Sequence, residues 1–398
     1  LPVQHVVDRI TAWFVPVVLG IAAVTFTLWL AFGPGLAEAL VPAISVLIIA
    51  CPCAMGLAVP VSILVGTGRG AQLGVLIRDG AALQRLSRID TIAFDKTGTL
   101  TQGTPVVDSV LVARTEVEAQ KVLAQAAQVA RASEHVYAKA IAAHAGPGPV
   151  AQGVTAHPGQ GAEGSVAGQA VRIGQAGFVE PGAVREMAME AARMGAGLVY
   201  VSEDGVCIGA ITLRDQLRDS TAQTLTSLRA EGIDIHVLTG DTPEGSAAVL
   251  EGQAITQIAA GLSPRDKAEH LAQLAETGRK VAFVGDGIND APALAAAEVG
   301  IAMGGGTDVA IEAADVVLMR ADPMAAATAL HLGRKTMGNI RQNLGWAFGY
   351  NVALIPVAAG VLSLFGGPML SPMLAAAAMA LSSLLVVGNA LRLRRVKA

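Results

Sequence analysis

Four apolar stretches, each near the roughly 20 residues needed to cross a bilayer, constrain this chain more than any other feature. They cover residues 11–32, 36–65, 344–365 and 369–391, and a long segment of mixed polarity separates the second from the third. Composition agrees: 53% of the 398 residues are hydrophobic and only 15% are charged, against about a quarter charged in a soluble domain. The first stretch is too long for a signal peptide, follows no basic region and has no small-residue cleavage site. Basic residues gather just beyond the stretches, at Arg69, Arg78, Arg334, Lys335, Arg341 and 392–397. That bias places the middle segment and the basic tail on the cytoplasmic side, with the turns at 33–35 and 366–368 outside. A net charge of -4 without a basic stripe does not imply a nucleic-acid partner, and none is expected. Three cysteines make no disulfide framework, and Cys51 and Cys53 lie in an apolar run, an odd place for a bridge.

The middle segment alternates short apolar strands with helical patterns, which predicts a parallel α/β sheet. Strands at 90–94, 233–238 and 281–284 each run into a polar motif, and helical patterns cover 221–230 and 267–274. Open sheets of this kind bind ligands at the carboxyl ends of their strands. An Ala/Gly-rich stretch with strand-like pieces such as 171–173 interrupts the pattern and reads as an inserted domain. The expected organisation is two membrane helices in 1–68, a phosphorylation domain in 69–103 and 204–335, an inserted nucleotide-binding domain in 104–203, and two membrane helices with a basic tail in 336–398.

The polar motifs supply what phosphoryl transfer requires: a carboxylate nucleophile, a divalent cation, a cationic clamp and fixed donors. Asp95, at a strand end, is the candidate nucleophile. Asp286 and Asp290 bring further carboxylates for Mg²⁺, a hard ion that takes oxygen ligands. Lys267 is the candidate clamp and Thr239 a hydroxyl donor.

Asp95-Lys96-Thr97-Gly98-Thr99, with Leu100-Thr101 after it, resembles the phosphorylation motif of P-type ATPases in the haloacid-dehalogenase superfamily. Thr239-Gly240-Asp241 and 285–290 (Gly-Asp-Gly-Ile-Asn-Asp) resemble that family's two further motifs. The resemblance implies that ATP phosphorylates Asp95, that Lys96, Thr97, Thr239, Asp241 and Lys267 serve the reaction, and that Asp95, Thr97, Asp286 and Asp290 hold Mg²⁺. It also implies the fold: a haloacid-dehalogenase-like parallel sheet, an inserted α+β nucleotide-binding domain and four transmembrane helices.

Thiols at membrane depth point to function. Cys51-Pro52-Cys53 lies inside the second stretch, where Pro52 loosens the helix and lets both thiols aim at one point. Two thiolates favour a soft ion such as Cu(I). Met379, Ser382 and Ser383 share one helical face, and Tyr350-Asn351 sits early in the third stretch. Together these resemble the Cu(I)/Ag(I) branch of heavy-metal P-type ATPases, in which Cys51, Cys53, Tyr350, Asn351, Met379 and Ser383 would line the transport site. The Zn/Cd/Pb branch adds a late charged residue, and 344–391 holds no Asp, Glu or Lys. Ser133-Glu134-His135 and 159–164 resemble the nucleotide motif and glycine loop of the subclass, assigning Glu134, His135, Gly159, Gly161 and Gly174 to ATP. Val136-Tyr137 replaces Pro-Leu, Ala130 an acidic residue, and Gln175 an asparagine. The expectation is weaker ATP binding than the family norm.

Family members deliver Cu(I) to the pump through a chaperone or a metal-binding module, and they carry an actuator domain with a Thr-Gly-Glu loop. No Thr-Gly-Glu occurs here, so the chain reads as a fragment that is phosphorylated but turns over poorly. Its expected place is a prokaryotic plasma (inner) membrane, with the catalytic domains cytoplasmic. Two rival readings are a metal-binding membrane protein with a degenerate ATPase domain and a membrane-tethered phosphatase. Against the second, Thr97 stands where such phosphatases carry a second Asp.

Overall fold

The computed structural model describes residues 2–113, 118–287, 290–305 and 308–397. Two compact units emerge: residues 1–89, 315–319 and 325–398 form one, and residues 90–314 and 320–324 the other.

In the first unit, helices Pro2–Phe32, Leu36–Ile49, Cys53–Gln72, Met324–Ala358 (from residue 325) and Pro372–Leu391 carry the apolar stretches. Pro52 breaks what the sequence reads as one span: the helix stops at Ile49 and restarts at Cys53. The short strands Val75–Ile77 and Val316–Leu318 pair antiparallel. Residues 69–89, expected in the phosphorylation domain, belong to this unit.

Among the described residues three helical segments, not four, are long and apolar enough to cross a membrane: Val3–Phe32, Leu36–Gln72 and Pro372–Arg395. The expected span at 344–365 falls short because its helix ends at Ala358. Gly360, at φ 89°, turns the chain left-handed before the short helix Val361–Phe365. The apolar run is therefore divided between two elements.

The second unit holds two sheets. Its parallel sheet has the order Val299–Ala302, Val281–Gly285, Thr91–Asp95, Asp234–Leu238, Gln257–Ala259. The middle strands are buried throughout, as expected when helices cover both faces. Phe94 and Phe283 are fully buried, and an adjoining cluster joins Ala93, Phe283, Leu238, Leu271 and Leu294. The second sheet is antiparallel, in the order Thr101–Val112, Val206–Leu217, Gly197–Glu203, Gln169–Gly174, Gly161–Val166, Gln152–His157. Helices Ala119–Ala130 and Val136–Ala145 pack on it around Val122, Ile141, Val171 and Ile211. This sheet outruns 104–203 at both ends, because the strands entering and leaving the insert pair with each other from Thr101↔Leu217 onward.

Candidate active site and metal-facing residues

The Thr91–Asp95 strand lies between two parallel neighbours, so its carboxyl end opens at the middle of the sheet edge. Asp95 is buried there, 6% exposed. Lys267 extends from the helix Pro264–Glu276, which starts with a capping box between Ser263 and Asp266 and Pro264 in its first turn. That cap fixes the first turn, and its ammonium donates to Asp95 Oδ1 and, at 2.8 Å, to Asp290 Oδ1. Asp95, Asp286 and Asp290 each offer an oxygen within 4.8 Å of the others. Gly98, at φ 78°, lets its loop pass so close to Asp286 that any side chain there would collide with the carboxylate.

Three carboxylates this close oppose one another's ionisation. Burial pushes Asp95 up to about 7, the charge of Asp290 adds to this, and Lys267 works against it. Asp286 is likewise raised, first by burial and then by Asp290. Burial disfavours the Lys267 ammonium, but Asp95 and Asp290 outweigh it and hold the lysine above its ordinary range. The donor set thus suits a hard divalent cation, which would relieve the repulsion.

Of the other residues expected here, Lys96 is buried and pairs with Asp241. Thr239 is buried, and its hydroxyl accepts from the Asp241 N–H at 3.2 Å. Thr97 is exposed beside the nucleophile. Ile288 and Asn289 lie outside the described residues. Sequence reasoning missed Arg218. Its guanidinium donates to the carbonyls of Gly98 at 2.7 Å and Thr99 at 3.1 Å, clamping the loop that follows the nucleophile. The available signal was its position directly after the strand that returns from the insert.

In the insert, Glu134, His135, Gly159, Gly161 and Gly174 all line one cavity of about 550 Å³. His135 caps the Val136–Ala145 helix: its Nδ1 accepts from the Tyr137 N–H at 3.2 Å, and the two rings meet edge to face. Glu134 pairs with Lys139 at 2.6 Å, and that hydrogen bond keeps its carboxyl below the usual range. Gln175 ties the wall together, its side chain donating to the Gly159 carbonyl and its N–H to Gln160 O at 3.0 Å.

In the helical unit, two apolar clusters bracket one level of the bundle. Ala50, Ile355 and Ala375 belong to one cluster, and Ala54, Ala347 and Val386 to the other. Cys51 and Cys53, Asn351, Met379 and Ser382 come between them on their respective segments. Asn351 is 2% exposed, and among the described residues its Oδ1 has no hydrogen-bond partner. Met379 and Ser382 are buried, whereas Ser383 is half-buried and donates to the Met379 carbonyl at 3.3 Å. Tyr350 points elsewhere, into an open groove with Gln342, Gly345, Trp346 and Gly349, because successive helical residues sit about 100° apart. Contrary to the sequence reading, the sulfurs of Cys51 and Cys53 are bonded to each other. The break at Pro52 brings their Cα atoms to 5.4 Å, within bridging range.

Comparison with known proteins identifies the relatives of this arrangement. A family profile described as haloacid dehalogenase-like hydrolase matches residues 89–298. Copper-transporting ATPase 1 of Rhizobium meliloti is 48% identical over 100% of this chain and 49% of its own length. The silver exporting P-type ATPase of Salmonella typhimurium is 45% identical with the same coverage. Among solved structures, a zinc-transporting PIB-type ATPase in its E2.Pi state superposes with a TM-score of 0.85 at 36% identity, covering 98% of this chain and 64% of that one. The chain spans about half the length of the curated relatives it matches. With the buried aspartate of its parallel sheet inside the matched region, the chain belongs to the haloacid dehalogenase-like hydrolases, and the longer proteins it resembles include copper- and silver-transporting P-type ATPases.

Proposed function

We propose that this chain is the catalytic and membrane portion of a pump that uses ATP to export Cu(I) or Ag(I) through an aspartyl phosphate at Asp95. The observation that carries the reading is the buried Asp95 carboxylate held by Lys267, with Asp286 and Asp290 beside it. In the first step a carboxylate oxygen of Asp95 forms a bond to the γ-phosphorus of ATP. The bond from that phosphorus to the bridging oxygen breaks, and ADP leaves. Lys267 balances the charge that gathers on the phosphoryl oxygens. Arg218 and the Lys96–Asp241 pair keep the nucleophile loop in place. Asp95, Asp286, Asp290 and the backbone at Thr97 are the residues to hold Mg²⁺, which would screen the phosphate charge when bound. ATP would enter from the cavity of Glu134, His135, Gly159, Gly161 and Gly174, with residues 101–217 acting as the nucleotide domain.

The reduced Cys51–Cys53 pair, Asn351, Met379 and Ser382 form the proposed transport site, with Ser383 at its margin and Tyr350 turned away from it. Thiolates and a thioether suit a soft monovalent ion. The solved neighbour is named for zinc, but 344–391 of this chain holds no charged residue to balance a divalent ion. The proposed setting is a prokaryotic inner membrane with the catalytic unit cytoplasmic. Delivery of Cu(I) by a chaperone or metal-binding module belongs to the same proposal.

The test is phosphorylation of the chain by γ-labelled ATP and Mg²⁺ under reducing conditions, with and without Cu(I), beside Asp95→Asn. Acid-stable, hydroxylamine-labile label that needs Asp95 and rises with Cu(I) is expected. Complete absence of label would turn the reading toward a metal-binding membrane protein with an inactive domain.

A further inference from the structure

Two helical turns from Asn351, a closed ring of amides joins two helices, and a serine ties in a third. Asn343 Nδ2 donates to Asn339 Oδ1 at 3.2 Å, Asn339 Nδ2 to the Asn389 carbonyl at 2.9 Å, and Asn389 Nδ2 back to Asn343 Oδ1 at 2.8 Å. Ser62 on the Cys53–Gln72 helix completes it: its hydroxyl lies 2.9 Å from Asn339 Oδ1 and accepts from Asn343 Nδ2 at 3.2 Å. Asn339, Asn343 and Ser62 are 7%, 1% and 0% exposed. Arg392 reaches the outer side of the ring, donating to Asn389 Oδ1 at 3.0 Å. Burying amides away from water is costly, and here each side-chain amide nitrogen and oxygen of the three asparagines is satisfied. No atom of the ring is left open to a metal, so it is no second metal station.

What the ring touches indicates its role. Asn343, Ala347 and Asn351 follow one another at four-residue spacing, so the ring and the buried Asn351 lie on one helix face, about 12 Å apart. Ser382, Val386 and Asn389 share a face of the Pro372–Leu391 helix in the same way. Below the ring the Cys53–Gln72 helix presses closely on the Met324–Ala358 helix. A Cβ on Gly66 would come within 2.6 Å of Thr336 Oγ1, and one on Gly70 within 3.0 Å of Leu332 Cδ2. Small residues at 62, 66 and 70 thus let the two helices approach, and small-residue faces are how membrane helices pack without hydrophobic drive. Three helices meet at the ring, and each also carries proposed metal ligands.

We infer that Asn339, Asn343, Asn389 and Ser62 are positioning residues that lock the ligand-bearing helices in their metal-binding arrangement, an inference that rests on the transport site proposed above. Breaking the lock leaves the ligands in place but makes the binding-competent arrangement a minor state, so apparent metal affinity falls by that population.

The experiment uses the whole chain in nanodiscs under reducing conditions, with Asn343→Leu, Asn389→Leu, their double variant, and Thr67→Val as control. Among the described residues, the Thr67 hydroxyl bonds within its own helix, to the Ile63 and Leu64 carbonyls. Cu(I) binding is read directly by chelator competition, and phosphorylation is followed against both Cu(I) and ATP. Each single variant is expected to weaken Cu(I) binding and raise the half-maximal Cu(I) for phosphorylation by about 3- to 20-fold, the range of membrane hydrogen bonds. Half-saturation by ATP and label at saturating Cu(I) stay unchanged, and the double variant is no worse than the weaker single one, because the ring fails as a unit. Unchanged Cu(I) binding overturns the inference. So does a fall in melting temperature with all parameters declining together, which would mark a purely structural role. A wild-type chain that binds Cu(I) but shows no metal-dependent label would sink the pump reading while leaving the binding comparison intact.

Discussion

Asp95 must be a nucleophile and yet sits where its charge is least welcome. Its carboxyl is pushed up to about 7 from an ordinary 3.8. The unfolded chain releases this proton near pH 4 and the folded chain near 7, so between these values the folded state binds the extra proton. Asp95 therefore contributes stability that is fully present below about pH 4 and lost as pH rises through about 7. Asp95→Asn cannot titrate. The difference in unfolding free energy between wild type and variant, measured by denaturant in a Mg²⁺-chelating buffer, should drift against the wild type by up to about 4 kcal/mol from pH 4 to 7. A flat difference would mean that Lys267 neutralises Asp95 completely. The gathering of Asp95, Asp286 and Asp290 was legible in the sequence because their motifs end apolar strands, whereas Lys267 reaches them from the start of a helix. Arg218 was not legible: it acts on the backbone carbonyls of Gly98 and Thr99, and carbonyls leave no mark in residue types.

At the scale of elements, the sequence predicts strands and helices well where period and motif coincide, as in the helix Thr221–Ala230 and the strand Val281–Gly285. It fails where pairing between distant segments decides. The boundary of the insert is one case, since the registers Val106↔Arg214 and Val199↔Ile211 put Val206–Leu217 inside the antiparallel sheet. Another is the contact of Gly195, which follows the helix Arg185–Arg193, with Gly245 in the first turn of the helix Pro243–Leu250. A Cβ on either glycine would stand 2.5 Å from the other's Cα, and Gly195 is also at φ 81°. Neither glycine stands out in the sequence as a contact. Ala at 195 or at 245 should lower stability by about 1–3 kcal/mol, the cost of overpacking against backbone. Because both substitutions force the same separation, the double variant should cost less than the sum of the two, as a thermal melt of each would show. Simple additivity would mean that the helices do not meet there.

For the whole molecule the question is how often the chain crosses the bilayer, because three qualifying helices and four apolar stretches give opposite answers for the tail. With three crossings, the basic residues at 392–397 would face away from the side that holds residues 73–343, against the bias of basic residues toward the cytoplasm. With four, both lie on the cytoplasmic side. Length permits the fourth crossing. The helix from Leu344 to Ala358 rises about 22 Å, and the 3-10 turn Val361–Phe365 supplies about 10 Å more, together close to the roughly 30 Å of hydrocarbon. Polar Asn351 within this stretch is no obstacle, since it is buried. A reporter fused after Lys397 should therefore read as cytoplasmic, while a cysteine placed at Gly367 should react with an impermeant maleimide added from outside. The reverse pattern at both positions would show that 344–365 stays on one side. It would also remove Asn351 from membrane depth, and with it one of the residues proposed to hold the transported ion.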